Sequence, residues 1–526
     1  MGVFASAREV TALDGHTPRG YNGRVFTRRS FLIASAVTGA SALAGVTACS
    51  KAPAPAAAGG IDQKAIAAAE AARPHTGRTV SVALRPQPTT VDLGGVTVQT
   101  LAYGDQVPGP LIRASVGDEL SVRVSNGLDH DTSVHWHGIA LRNDMDGASP
   151  ATPNIKPGND FTYTFSAPHA GTYWAHPHTG LDADYGLYLP VVIDDPAQRG
   201  TYDAEWIVVL DDWISGAGKS PQQIYEGLRA MAGMGEHMGD MGGHDMSGMG
   251  DMPMATSTLL GGDAGDVKYP YFLAGGRIPA APNVFNAKPG QRIRLLIINA
   301  GADTAFRVAL AEHRMTVTHT DGFPVVPVDV DALLLGMGER YDVIVTAGAG
   351  VFPLVAVAEG KDGAARALLS TGAGTAPDPA FRPAELTRRV GTVADFTATA
   401  AVDLGPFTPD VTLAAELTGS MMKYDWGING RGFDNRQALT VRQGQRVTMT
   451  FTNSTAMWHP MHLHGHTFQV LQPDGRRGPR KDTLIVLPRQ KLTVALVADN
   501  PGDWMLHCHN AYHQEAGMMT TLGYTS

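Results

Sequence analysis

The sequence predicts an all-β protein built from three homologous domains, and three observations carry that expectation. The composition is globular and turn-rich, with 61 Gly and 34 Pro among 526 residues, 43% hydrophobic and 17% charged. A ten-residue phrase occurs three times, as Gly117-Asp-Glu-Leu-Ser-Val-Arg-Val-Ser-Asn126, Gly290-Gln-Arg-Ile-Arg-Leu-Leu-Ile-Ile-Asn299 and Gly444-Gln-Arg-Val-Thr-Met-Thr-Phe-Thr-Asn453. A second phrase closes each unit, as Gly171-Thr-Tyr-Trp-Ala-His-Pro-His178, Gly350-Val-Phe-Pro-Leu-Val-Ala-Val357 and Gly502-Asp-Trp-Met-Leu-His-Cys-His509.

The chain begins with an address. Thr27-Arg28-Arg29-Ser30-Phe31-Leu32 sets paired arginines before a weakly apolar run, the composition of a twin-arginine export signal, and too polar for a membrane span. The run ends at Val46-Thr47-Ala48-Cys49, which resembles a lipoprotein cleavage box and predicts a lipid anchor on Cys49; the plainer alternative is an ordinary signal cleaved nearby. Residues 1–49 are therefore read as the signal and 50–75 as a linker, with domains at 76–197, 198–387 and 388–526. A monomer in the cell envelope or periplasm is expected.

The first phrase reads as a glycine turn, a strand and a turn asparagine. Its outer copies alternate polar and apolar residues as half-buried strands do, whereas the middle copy is continuously apolar and predicts burial on both faces. In the second phrase, the outer copies end on two histidines separated by one residue. The middle copy has Val355 and Val357 there, so it keeps the strand without the ligands. A low-complexity insertion interrupts the second domain and holds eight of the chain's 20 methionines: Met231, Met234, Met238, Met241, Met246, Met249, Met252 and Met254.

Ten of 19 histidines fall into four clusters: His135-Trp-His137-Gly, His176-Pro-His178, His459-Pro-Met-His462-Leu-His464, and His507-Cys508-His509 with His513 beyond. One such pair could be structural, but four on two copies of a repeat point to metal. On a strand, residues i and i+2 share a face, so each His-x-His aims two imidazoles in one direction. Cys508 then points the other way, toward His459 and His513, with Met518 five residues on. Two histidines, a thiolate and a distant thioether form a blue-copper electron-transfer set. Cys49 and Cys508 are the only cysteines, so no structural disulfide is expected. A net charge of −9 without a basic cluster excludes nucleic acid as a partner.

These four motifs together resemble those of the multicopper oxidases, the family of laccases and cuprous oxidases, over essentially the whole mature chain. The resemblance implies three cupredoxin-like Greek-key β-barrels and four copper ions. His459, Cys508, His513 and Met518 would hold the type 1 copper, and His135 and His462 the type 2 copper. His137, His176, His178, His464, His507 and His509 would hold the type 3 pair. Electrons from a reduced substrate would enter at the type 1 site and pass through Cys508 to His507 and His509, where O2 is reduced to water. Asp146 matches an acid near the cluster in related enzymes. The second acid usually follows the last type 1 histidine, where this chain has Gln514, with Glu515 next.

The methionine-rich insertion points to Cu(I) as the electron donor, since thioethers are soft ligands. Its bland alternative is a Gly/Met linker without a ligand role. Phenols and Fe(II) are further expected donors, as in a general laccase. An envelope protein that sequesters copper without turnover is the competing class, disfavoured by complete ligand sets. A copper nitrite reductase is disfavoured because its thiolate needs only one flanking ligand.

Overall fold

Half-buried strands need a second sheet to cover their apolar faces, and each third of the chain supplies one. The computed structural model describes residues 62–198, 200–238 and 255–525. In the first third, the sheet Thr79–Leu84, Glu119–Ser125, Asp160–Ser166 shares a core with the sheet Ile112–Ser115, Leu189–Asp194, Gly171–His176, His135–His137. The middle third pairs two six-stranded sheets, and the last pairs a six-stranded with a five-stranded sheet. The protein is all-β with three such domains.

The repeated first phrase forms the same strand each time. Glu119–Ser125, Arg292–Asn299 and Arg446–Asn453 each pair in parallel with the first strand of their domain, Thr79–Leu84, Ala204–Trp213 or Val411–Thr418. The closing asparagine is buried in all three. Asn126, Asn299 and Asn453 accept the amide two residues on through Oδ1, an Asx turn, and donate through Nδ2 to the carbonyls of Ile155, Leu335 and Val486. The outer strands alternate in burial, while the middle one is buried from Ile293 to Asn299. Its outward face is covered because Ile298 and Val209 pack with Trp174 and Tyr188 of the first domain.

The second phrase also becomes one strand per domain, Gly171–His176, Val351–Ala358 and Asp503–Cys508. In the outer domains it lies antiparallel to a histidine strand, with His135 opposite His176 and His462 opposite His507. In the middle domain Val355 is buried with Ala309, Ala332, Ala364 and Leu386, and Val357 packs against them.

Two segments differ from the sequence reading. Residues 62–75, expected within the 50–75 linker, carry the helix Gln63–Ala71: alanines favour it, Asp62 caps it by accepting from Lys64 and Ala65 amides, and Ile66 is buried. Val390–Gly391, expected in the third domain, still pairs in parallel with Ala332–Leu335 at the edge of a middle-domain sheet. The methionine-rich stretch begins as the end of a helix, Pro221–Met238. Arg28, Arg29, Cys49, Met241, Met246, Met249, Met252 and Met254 lie outside the described residues. No helix among those described is long and apolar enough to cross a membrane.

Candidate metal centres

The histidine strands of the first and third domains bring eight imidazoles together. His135 stacks on His464 with ring centroids 3.6 Å apart, and His137 on His462 at 3.8 Å. His137, His176 and His509 form one group, with centroids 4.9 to 5.8 Å apart. His178, His464 and His507 form another, at 4.8 to 5.1 Å. Seven of the eight side chains are buried and His178 is partly exposed.

Hydrogen bonds fix the tautomers. The Nδ1–H groups of His135, His176, His462 and His507 donate to the carbonyls of Asp146, Pro177, Asp482 and Cys508, and His464 Nδ1–H donates to Asp146 Oδ2 at 2.9 Å. Each Nε2 is left as a lone pair. His464 Nε2 and His507 Nε2 face one another at 3.1 Å, and His178 Nε2 lies 3.3 Å from His507 Nε2. Among the described residues, Nε2 of His135, His176, His462 and His509 has no partner, nor does Nδ1 of His137, whose Nε2 is held by Thr483 Oγ1 at 3.0 Å. Buried lone pairs aimed at a common centre are costly alone and are resolved by a shared cation.

Protonation would disrupt that arrangement, and the electrostatics oppose it. Burial first, then the neighbouring imidazoles, hold His137, His176, His178, His464 and His507 well below the ordinary histidine range. His509 falls to about 3 for the same reasons. Neutral imidazoles are the form that binds copper.

Cys508 is fully buried on the opposite side of its strand, with Sγ 3.6 Å from His459 Nδ1 and 3.8 Å from His513 Nδ1. Those two nitrogens are 3.1 Å apart. Met518 is buried beside them: its amide donates to the His513 carbonyl and its carbonyl accepts from the Cys508 amide. His459, Cys508 and His513 therefore come together with Met518 on the adjoining backbone, and Cys508 shares a strand with His507.

The structure adds residues that the motifs do not contain. Asp482 Oδ1 lies 3.2 Å from His137 Nε2 and 3.5 Å from His462 Nδ1. The middle domain holds Asp482 in place, since Arg340 is buried and donates to both its oxygens at 2.7 Å. Arg340 also donates to the carbonyls of Thr172 and Gly338. Gly338 has φ +85°, and a Cβ there would lie 2.9 Å from His137 and 3.0 Å from His509. Among the described residues the middle domain adds no histidine to the cluster, yet it shapes it.

A second middle-domain acid, Asp266, places Oδ2 3.1 Å from His513 Nε2 and accepts from Tyr424 at 2.9 Å. Burial opposes charge on His513, but Asp266 and then Cys508 push it up to about 10 in the metal-free protein. Trp426 lies against the His513 ring at 4.3 Å. Charged residues inside apolar strands, as in Glu339-Arg-Tyr-Asp342, were the available signal for this layer.

Asp146 is buried between His135 and His464. Glu515 does not join the cluster. It lies at the surface with its carbonyl accepting from Tyr225, and partial cover, then the negative charge of Asp182, raise its carboxyl.

Comparison with known proteins agrees with this chemistry. Three family profiles described as multicopper oxidase match residues 86–198, 204–374 and 406–525. The chain is 60% identical to the multicopper oxidase MmcO of Mycobacterium tuberculosis, over 96% of this chain and 98% of that one. It is 28% identical to a copper resistance protein A homolog of Pseudomonas syringae pv. tomato, over 82% and 90% of the two chains. The crystal structure of the laccase from Botrytis aclada matches with a TM-score of 0.69 at 26% identity, covering 86% of this chain and 89% of that one. Motifs, convergent lone pairs and these likenesses agree, and the chain belongs to the multicopper oxidase family of copper-dependent oxidoreductases.

Proposed function

We propose that the protein couples one-electron oxidation of Cu(I), and also of phenols and Fe(II), to reduction of O2 to water with four coppers. His459, Cys508, His513 and Met518 hold one; His135 and His462 hold a second; and the groups His137, His176, His509 and His178, His464, His507 hold a pair. The observation that carries this reading is the set of unprotonated nitrogens facing one another, above all His464 Nε2 against His507 Nε2. When bound, the metals supply one-electron acceptance and oxygen reduction.

The chain's own share is positional. Cys508 is bonded through its backbone to His507 and His509, so the mononuclear and cluster ligands are one peptide apart. Asp146 and Asp482 fix the ring orientations, and Asp146 is placed to hand a proton to the oxygen site. Water is kept from the thiolate by complete burial.

Reductant access is supported at Asp266. A cleft of about 530 Å³ beside the helix Pro221–Met238 is lined by Ile224, Leu228, Met231, Asp266 and Tyr269. Asp266 Oδ1 has no partner among the described residues, and its other oxygen holds His513. Met231 is 65% exposed, as is Met422 at 70%, two residues before Tyr424. Exposed thioethers near a carboxylate suit Cu(I). The apolar wall of the cleft favours the second reading, a general phenol oxidase. Copper tolerance, export by the twin-arginine route and anchoring through Cys49 complete the proposal.

The test is oxidation of Cu(I), Fe(II) and a phenol by copper-loaded protein, before and after deletion of residues 231–254. Selective loss of Cu(I) turnover is expected. Equal loss for all three donors, or none, would remove the insertion's assigned role.

A further inference from the structure

Oxygen reduction consumes protons as well as electrons, and the acid expected after His513 is Gln514 here. A surface-open cavity of about 700 Å³ reaches His178 and is also lined by His130, Asp182, Thr179 and Gln222. His130 lies along its wall. The ring's Nδ1 is 2.8 Å from Asp129 Oδ1, and its Nε2 is 3.1 Å from both oxygens of Asp182. The imidazole is 46% exposed and the Asp182 side chain 9%, so the pair runs from solvent into the wall. Asp182 also accepts from Thr179 Oγ1 at 3.2 Å, one residue from His178.

The electrostatics suit transfer. Burial pulls the His130 imidazole down, but the Asp129 hydrogen bond and the charge of Asp182 outweigh it and leave it above its ordinary value. Burial raises Asp182, against the opposing pull of His130. Both proton affinities are raised above their ordinary values, so the imidazole and the carboxylate can each carry the proton in turn. Other charges facing the pair are Asp131, neutralised by Lys156 at 2.6 Å, and Glu515, which adds negative charge near Asp182.

We propose that His130 and Asp182 form a proton relay from solvent to the oxygen-reducing site along this cavity, replacing an acid after His513. The proposal rests on the oxidase reading. His130 gives its Nε2 proton to Asp182, Asp182 releases one to water in the cavity at His178, and His130 regains one from solvent. Only N–H and O–H bonds change, and no electrons move. A cavity of this size and polarity accommodates water.

The test uses the full, copper-loaded chain and its His130→Gln, His130→Ala and Asp182→Asn variants. Copper content, blue absorption and anaerobic reduction by a one-electron donor are expected to match the parent. Reoxidation by O2 is expected to slow by about tenfold or more at neutral pH, with the deficit widening as pH rises, and added imidazole is expected to restore His130→Ala. In copper-free protein, NMR titration of His130 is expected to shift toward the ordinary value in Asp182→Asn. Reoxidation within about twofold of the parent across the pH range, or an unmoved His130 titration, overturns the relay. A copper-loaded parent that consumes no oxygen with any donor overturns the oxidase reading and the relay with it.

Discussion

Replacing Arg340 by methionine tests whether the middle domain shapes the histidine cluster formed by the outer domains. The guanidinium is fully buried and makes four hydrogen bonds, to Asp482 twice, Thr172 and Gly338. Removing it leaves Asp482 as a buried carboxylate without its cation, a change that costs about 3–5 kcal/mol. Lys481 does not substitute, since its ammonium is shared by Asp321 and Glu339 at 3.1 Å each. Two readouts follow from this geometry. Copper-free protein loses about 3–5 kcal/mol against denaturant, and copper-loaded protein loses cluster metal selectively because His137 and His462 lose their orienting partner. The double variant Arg340→Met with Asp482→Leu recovers much of the stability but not the cluster, because it removes the stranded charge and not the need for orientation. An Arg340→Met protein within about 0.5 kcal/mol of the parent, with a full copper complement, refutes the reasoning.

Asp146→Ala removes the acceptor at His464 Nδ1 and is expected to lower cluster copper affinity by about 10- to 100-fold, with blue absorption unchanged; equilibrium dialysis and absorption spectra check both. Cys508→Ser is expected to abolish blue absorption and donor-driven oxygen uptake while leaving cluster copper bound, as read by metal analysis and paramagnetic resonance. Asp266→Asn removes the group that raises His513. In copper-free protein the folded imidazole titrates at about 10 against an ordinary value of 6.5. Its stabilising contribution is therefore complete below pH 6.5 and lost as pH rises toward 10. Denaturation across that window is expected to show the loss in the parent and a flatter profile in Asp266→Asn.

The fold was legible because the three domains repeat their strand phrases, and the convergence of the histidines because strand periodicity of two turns each His-x-His into a paired donor. Arg340, Asp482 and Asp266 were not legible. Their partners stand 142, 168 and 247 residues away, at contacts such as Arg340 with Asp482, Arg340 with Thr172 and Asp266 with His513. No local spacing encodes such contacts; only a charged residue within an apolar strand hints at them. Val355 and Val357 pack in the middle-domain core, yet Gly338 in the same domain abuts His137 and His509. The helix Gln63–Ala71 escaped because its alanine-rich composition also suits a tether, and the decisive feature is tertiary, the burial of Ile66.

In the proposed mechanism, the Cys508 thiolate connects a mononuclear electron acceptor to an oxygen-reducing cluster. Counting donor molecules oxidised per O2 consumed by copper-loaded protein tests it most directly. Four one-electron equivalents per O2 and no released peroxide are expected, with uptake abolished in Cys508→Ser. Two equivalents with accumulating hydrogen peroxide, or undiminished uptake in the serine variant, would contradict it.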